Sequence, residues 1–231
     1  MAGDRYVPAL GLRGLTRFYD PVIRLTTREA NFKRRLLEQA SIEPAQRVLD
    51  LGCGTGTLAI EARRACPGAE IVGLDGDPEV LERARRKAEA AGVGIQLDEG
   101  LSTALPYGEG SFDTVLATLF FHHLTGEAKR TTVREIARVL RPGGQLHVAD
   151  FGRPADPLMK ALFWQIRLAD GIEQTRDNVA GRLPAIFEEG GLEGAAETDR
   201  LRTAFGTLAL YRARKPPRET AMPASEIEDG A

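Results

Sequence analysis

Cysteine, long apolar runs and an excess of either charge are all missing from this sequence, and each absence narrows what it encodes. Cys53 and Cys66 are the only two cysteines, too few for a disulfide framework and without the paired spacing of a zinc site. That usage suits a reducing cytoplasm, and no metal centre is expected. The 31 lysines and arginines are offset by 33 acidic residues, for a formal net charge of -2. No sustained positive surface is available to follow a phosphate backbone, so nucleic acid is not an expected partner. The longest apolar stretch, "PLMKALFWQIRLA", is interrupted by Lys160, Gln165 and Arg167 and is too short to span a bilayer. The segment "MAGDRYVPAL" has no apolar core behind a basic region, so no signal peptide is expected. What is present, 231 residues of which 42% are hydrophobic, suffices for one well-buried domain.

Periodicity organises the chain from residue 28 onward. "REANFKRRLLEQA" places Phe32, Leu36 and Leu37 on one helical face. From residue 47, apolar strands alternate with helices: "RVLDL", "EIVGLD", "GIQLDEG", "FDTVLATLF" and "GQLHVADF" read as strands. Between them, "TLAIEARRAC" is closed by Pro67 and Gly68, and "GDPEVLERARRKAEAAG" has Asp77 as N-cap, Pro78 at the first helical position and Gly92 as C-cap. "GEAKRTTVREIARVL" is a helix stopped by "RPGG". Nearly continuous apolar strands joined by helices imply a parallel sheet covered on both faces. The expected fold is therefore a doubly wound, Rossmann-like α/β fold. After Asp150 the rhythm changes to two helical stretches, "DPLMKALFWQIRLADG" and "NVAGRLPAIFEEGG", and then to "GAAETDRLR" and "GTLALYRAR", an expected antiparallel edge hairpin across "TAFG". The division expected is a helical lid or cap over residues 1–46, a core over 47–152, and a C-terminal part over 153–215 that completes the same domain on its substrate side. A polar, aperiodic tail over 216–231 is expected to be disordered.

In "RVLDLGCGTG", a strand leads through Gly52, Gly54 and Gly56 into a helix, putting glycines where the backbone turns sharply and where a ligand can touch the main chain. The dinucleotide pattern G-x-G-x-x-G needs its third glycine one residue later, where Thr57 stands, which argues against NAD or FAD. Asp75 ends the next strand, 23 residues after Gly52. A carboxylate there can accept from both hydroxyls of a ribose. Each residue also has a purely structural reading: the glycines can simply make a tight turn, and Asp50 and Asp75 can cap the following helices. Their conjunction favours a nucleoside ligand.

Four stretches in order, "VLDLGCGTG", "VGLDGDPEVLERAR", "LPYGEGSFDTVLATLFFHHL" and "RVLRPGGQLHVADF", spanning roughly residues 47 to 151, make the sequence similar to the class I S-adenosylmethionine-dependent methyltransferases. The resemblance is strongest to the small-molecule subgroup that contains the quinone-biosynthesis C-methyltransferases, a seven-stranded, mostly parallel fold with an antiparallel edge strand. It implies S-adenosylmethionine as cofactor and S-adenosylhomocysteine as product. By the same resemblance Asp50, Gly52, Cys53, Gly54 and Gly56 hold the methionine end, and Asp75 holds the ribose, with Gly76 and Asp77 along the nucleoside. The adenine lies near Leu101 and Ser102; Leu101 stands where the family often has an acidic residue. Thr118 at the end of the fourth strand and Tyr19 in the lid, beside Tyr6 and Phe18, complete the expected cofactor contacts. Cys53 fills a position that wants a small side chain and has no basic partner to activate it.

Methyl transfer from a sulfonium is an in-line displacement, so positioning supplies most of the catalysis. His122 and His123, in "TLFFHHL" at the carboxyl end of the sheet, are the candidates for a general base, with a positioning or packing role as the alternative. Phe163, Trp164 and Ile166 to Leu168 can wall an acceptor pocket that Asp170, Glu173, Arg176 and Asn178 face, or pack into ordinary core. The expected acceptor is a small, apolar or ring-containing metabolite, methylated on carbon or oxygen. Two rivals stay open. A macromolecule methyltransferase would want a basic groove, or a Pro-Pro-aromatic tetrapeptide where "TLFFHH" stands. A cofactor-binding sensor or partner subunit without turnover would keep the same glycines and Asp75.

Overall fold

The computed structural model describes residues 29–218. Tyr6, Phe18 and Tyr19 of the expected lid, and positions 219–231 of the tail, lie outside the described residues.

Helix α1 (Glu29–Ala40) buries Phe32, Leu36 and Ala40, one residue per turn on a single face. The core then alternates β1 (Arg47–Leu51), α2 (Thr57–Ala65), β2 (Glu70–Asp75), α3 (Pro78–Ala91), β3 (Gln96–Glu99), β4 (Phe112–Thr118), α4 (Gly126–Val139) and β5 (Leu140–Phe151). Helices α5 (Pro157–Asp170), α6 (Arg176–Ala180) and α7 (Leu183–Glu189) precede the hairpin β6 (Glu193–Thr203) and β7 (Gly206–Arg214). The strands form one seven-stranded sheet in the order β3-β2-β1-β4-β5-β7-β6. The first five pair in parallel, whereas β7 runs antiparallel to both β5 and β6. This is the doubly wound fold expected from the alternation of strand and helix.

Side chains on successive strand positions point to opposite faces, so each buried strand feeds two cores. Leu49, Leu51, Val72, Leu74, Val115 and Ala117 face Val133, Ile136 and Phe187. On the other side Val48, Ile71, Leu116 and Ala149 face Phe32, Leu36, Leu58 and Ala59. The strand order reverses between β1 and β4, and in such sheets ligands bind outside the carboxyl ends of the strands at that crevice. Asp50, Asp75, Thr118 and Asp150 all sit at or next to those ends. Among the described residues, no helix is long and apolar enough to cross a membrane.

Three local expectations are revised. The helix expected over 178–191 is two helices, because Gly181 turns left-handed (φ +70) and donates its N–H back to the carbonyls of Asp177 and Asn178, closing α6. The "RPGG" stretch does not separate helix from strand but lies inside β5, where the pairing with β4 jumps from Phe112↔Leu140 to Thr114↔Gln145. Gly143 (φ +79) supplies the left-handed residue of this bulge. Strand β4 stops at Thr118, two residues early, because Leu119 adopts φ +51 and Phe121–His123 coil into a 3-10 turn. The hairpin has its expected place, with Thr203 opposite Gly206 and a two-residue turn between them.

Candidate active site

The loop after β1 is built from three left-handed glycines, Gly52 (φ +68), Gly54 (φ +53) and Gly56 (φ +73). For a residue with a Cβ each such turn costs about 1–2 kcal/mol, which is why glycine recurs at alternate positions. The N–H groups of Gly52 and Cys53 donate to the Leu74 carbonyl at 2.8 and 3.0 Å, tying the loop to the end of β2. At Gly52 a Cβ would lie 2.3 Å from Cδ2 of Phe120, so this glycine lets the ring cover the loop. Among the described residues nothing lies within 4 Å of a Cβ placed on Gly54, an open space that a side chain would fill. The Gly54→Ala chain should therefore lose about 1–2 kcal/mol of stability from φ strain alone. Its added methyl enters the open space, so calorimetry should show a larger loss in nucleoside-ligand affinity than in folding.

Two carboxylates frame this loop. Asp75 Oδ2 accepts the Gly54 N–H at 2.9 Å and Oδ1 accepts the Asp77 N–H at 3.0 Å, leaving a further lone pair on each oxygen for a ligand. Burial pushes its carboxyl up, and the N–H donors of Gly54 and Asp77 oppose that. Asp77 itself accepts from Glu79 and Val80 and caps α3 as expected, with Gly76 between the two aspartates. Asp50 Oδ2 accepts from Ala59 in the first turn of α2, so it does cap that helix. Its Oδ1, however, is buried and has no partner among the described residues. Burial pushes the Asp50 carboxyl up to about 7, against the attraction of Lys33. Burial, and then the neighbouring Asp50 and Asp75, drive the Cys53 thiol far above its ordinary range. Cys53 Sγ lies where a Cβ on Gly73 would come within 3.0 Å, so this thiol is packing.

Leu101 is exposed, whereas the Ser102 hydroxyl is buried against Thr132 Oγ1 at 2.8 Å. The nearby Gly100 N–H donates to the Asp75 carbonyl. Thr118 is half-buried at the end of β4, paired with Ala149.

The second half of the site follows β4. Asp150, the penultimate residue of β5, is fully buried and accepts the N–H groups of Phe120 at 3.1 Å, His122 at 3.3 Å and Phe151 at 2.6 Å. It also binds His122 Nδ1 at 2.7 Å. Burial raises its carboxyl, but His122 and these N–H donors hold it below the ordinary range. One carboxylate thus shapes the turn and orients the imidazole. Asp150 was not among the residues expected at the site. Its signal was its position: like Asp75, it is an acidic residue at the carboxyl end of an apolar strand. His122 and His123 stack with ring centroids 4.0 Å apart. Burial, then repulsion from His122, holds His123 below its ordinary basicity. Asp170, from the end of α5, completes the group, 3.6 Å from His122 Nε2 and 3.5 Å from His123 Nδ1.

Of the other pocket candidates, Phe163 is core, against Phe151 at 4.8 Å, while Trp164 and Leu168 are exposed and Arg167 lies over the Trp164 ring. Asn178 is buried and donates to the Phe151 carbonyl; Glu173 and Arg176 are exposed.

Residues 48–144 match the family model described as a methyltransferase domain. The chain is 40% identical over 138 residues to the demethylmenaquinone methyltransferase of Thermus thermophilus, covering 59% of this chain and 62% of that protein. To the enzyme of the same name from Deinococcus radiodurans it is 37% identical over 135 residues, covering 58% and 55%. It thus spans about three fifths of the length of these relatives. Among solved structures, the S-adenosylmethionine-dependent methyltransferase SibL superposes with a TM-score of 0.69 at 21% identity, covering 90% of this chain and 61% of that one, a likeness of fold. Fold, glycine loop and sequence relationship agree, and the chain is similar to the class I S-adenosylmethionine-dependent methyltransferases, those of quinone biosynthesis among them.

Proposed function

We propose that the protein transfers a methyl group from S-adenosylmethionine to carbon or oxygen of a small, ring-containing acceptor of the quinol type, in keeping with the names of its relatives. The observation that carries this reading is the spare acceptor capacity of the two loop carboxylates: among the described residues Asp50 keeps a buried, unpartnered oxygen beside three left-handed glycines, and each Asp75 oxygen has one N–H donor and a further lone pair beside the open space at Gly54. A cationic amino group satisfies the first and vicinal hydroxyls satisfy the second. When bound, the cofactor supplies an electrophilic methyl on a sulfonium. The chain's own part is to hold donor and acceptor in line. Asp50 and the glycine loop hold the methionine end, and Asp75 holds the ribose. The main chain at Leu101 and Ser102 lies along the base, since the Ser102 hydroxyl is taken by Thr132. Asp150 fixes the 3-10 turn, so that His122 acts as a positioning residue on the acceptor side. Residues 153–215 furnish the rest of that side.

Calorimetry with S-adenosylhomocysteine tests the assignment. Asp75→Ala should weaken binding by about 1.5–3 kcal/mol, roughly 10- to 150-fold, the scale for losing a charged hydrogen-bond acceptor. Unchanged affinity would sink the ribose assignment. Turnover is read separately, as S-adenosylhomocysteine release with demethylated quinols against phenolic acceptors. Tight cofactor binding with no release on any acceptor would identify a sensor instead.

A further inference from the structure

We propose that His122, His123 and Asp170 form a binding site for one divalent first-row transition-metal ion. One ligand atom from each of the three lies within 4.8 Å of the other two. The proposal goes beyond methyl transfer and does not depend on it.

The first argument is the direction of lone pairs. Asp150 already accepts three backbone N–H groups, so the contact of 2.7 Å between its Oδ1 and His122 Nδ1 puts the imidazole hydrogen on Nδ1. In the neutral imidazole the other nitrogen, Nε2, then presents a lone pair, and what it faces at 3.6 Å is another acceptor, Asp170 Oδ2. Two acceptors facing one another in a nearly dry place repel unless a positive centre lies between them. His122 and Asp170 have side-chain exposures of 3% and 7%, so water does little to screen that repulsion.

The second argument is distance. Asp170 Oδ2 lies 3.6 Å from His122 Nε2 and Oδ1 lies 3.5 Å from His123 Nδ1, so the carboxylate spans the two imidazoles at separations beyond the roughly 2.7–3.2 Å of a well-formed hydrogen bond. They match the spacing of ligands around a small ion: bonds of about 2.0–2.2 Å place neighbouring ligand atoms roughly 3.0–3.6 Å apart. The third argument is the support behind the ligands. A metal-binding imidazole commonly donates its other nitrogen to a carboxylate, which fixes its tautomer and orientation, and Asp150 does this for His122. His123 keeps 25% of its side-chain surface exposed, so the cluster is reached from solvent. Two imidazoles and one carboxylate, with positions left open, suit Zn2+ or Fe2+ better than Mg2+ or Ca2+, which prefer oxygen ligands.

The test uses the full chain, stripped with chelator and titrated with Zn2+, and with Co2+ as a spectroscopic stand-in. The expected result is one ion per chain, with a cobalt absorption band. The isosteric Asp170→Asn and the truncated His123→Ala should each lose at least the 10- to 100-fold in affinity that removing a supporting carboxylate typically costs. X-ray absorption of the zinc-loaded parent should show imidazole nitrogens in the inner shell. Absence of saturable binding in the parent overturns the proposal, as do folded variants that keep the parent affinity. Sulfur scatterers at about 2.3 Å would move the ion to a cysteine and overturn it equally.

Discussion

Asp150→Ala should be among the most destabilising single substitutions in the molecule, lowering the free energy of unfolding by about 3–5 kcal/mol. The carboxylate is fully buried and serves four partners: the N–H groups of Phe120, His122 and Phe151, and His122 Nδ1. Alanine leaves all four without an acceptor in a place water does not reach, and each buried donor left unpaired costs about 1–3 kcal/mol before relaxation. The site would suffer with the fold, because the same contacts set the 3-10 turn that carries both histidines. Asp150→Asn keeps one acceptor oxygen and should lose clearly less. Urea denaturation of the three chains decides it. An alanine variant within about 1 kcal/mol of the parent would show that the turn holds itself.

Stability should fall as pH rises from about 4 to about 7, and Asp50 should be a main cause. Burial raises its carboxyl from 3.8 in the open chain to about 7 in the fold. Between those values the folded state holds a proton that the unfolded state has released, so raising the pH favours unfolding. Below the lower value both states are protonated, and above the upper one both are charged and the full burial penalty applies. At about 1.4 kcal/mol per pH decade, the span amounts to roughly 4 kcal/mol. Asp50→Asn, neutral at this position throughout, should slope clearly less than the parent across this window and be the more stable of the two at pH 8. Parallel curves for the parent and the Asp50→Asn variant in denaturation at pH 4 to 8 would assign the slope elsewhere. The same substitution should weaken cofactor binding, because it removes the negative charge behind the unpartnered oxygen that a cationic amino group would satisfy.

What could be read from sequence was set by local rules. The glycine loop was legible because only glycine turns left-handed freely at three alternate positions, and α3 because Asp77, Pro78 and Gly92 each have one favoured place in a helix. Burial on both faces wrote β1, β2 and β4 as apolar runs. Errors arose where a local signal had two meanings. The glycines of "RPGG" mark a turn or a bulge alike, and pairing with β4 made them a bulge. Gly181 sat inside an apolar periodic stretch, and periodicity alone passed over it. At the site, the histidines were visible but their partners were not: Asp150 and Asp170 lie 28 and 48 residues from His122, and only the sheet and the end of α5 bring them together. Trp164 read as pocket wall or core from its chemistry, and its exposure among the described residues rules out the core reading.

The outer strands of the sheet bear on how the protein behaves in a crowded solution. A free strand edge is a row of unsatisfied N–H and C=O groups onto which another chain can add, the first step toward fibrous assemblies. On one side that strand is β6, which carries Glu197, Asp199, Arg200 and Arg202 and is thrown out of register twice against β7. On the other it is β3, four residues long and bearing Asp98 and Glu99. Charge, irregular spacing and brevity each spoil a template, so among the described residues both rims are blunted against sideways growth of the sheet.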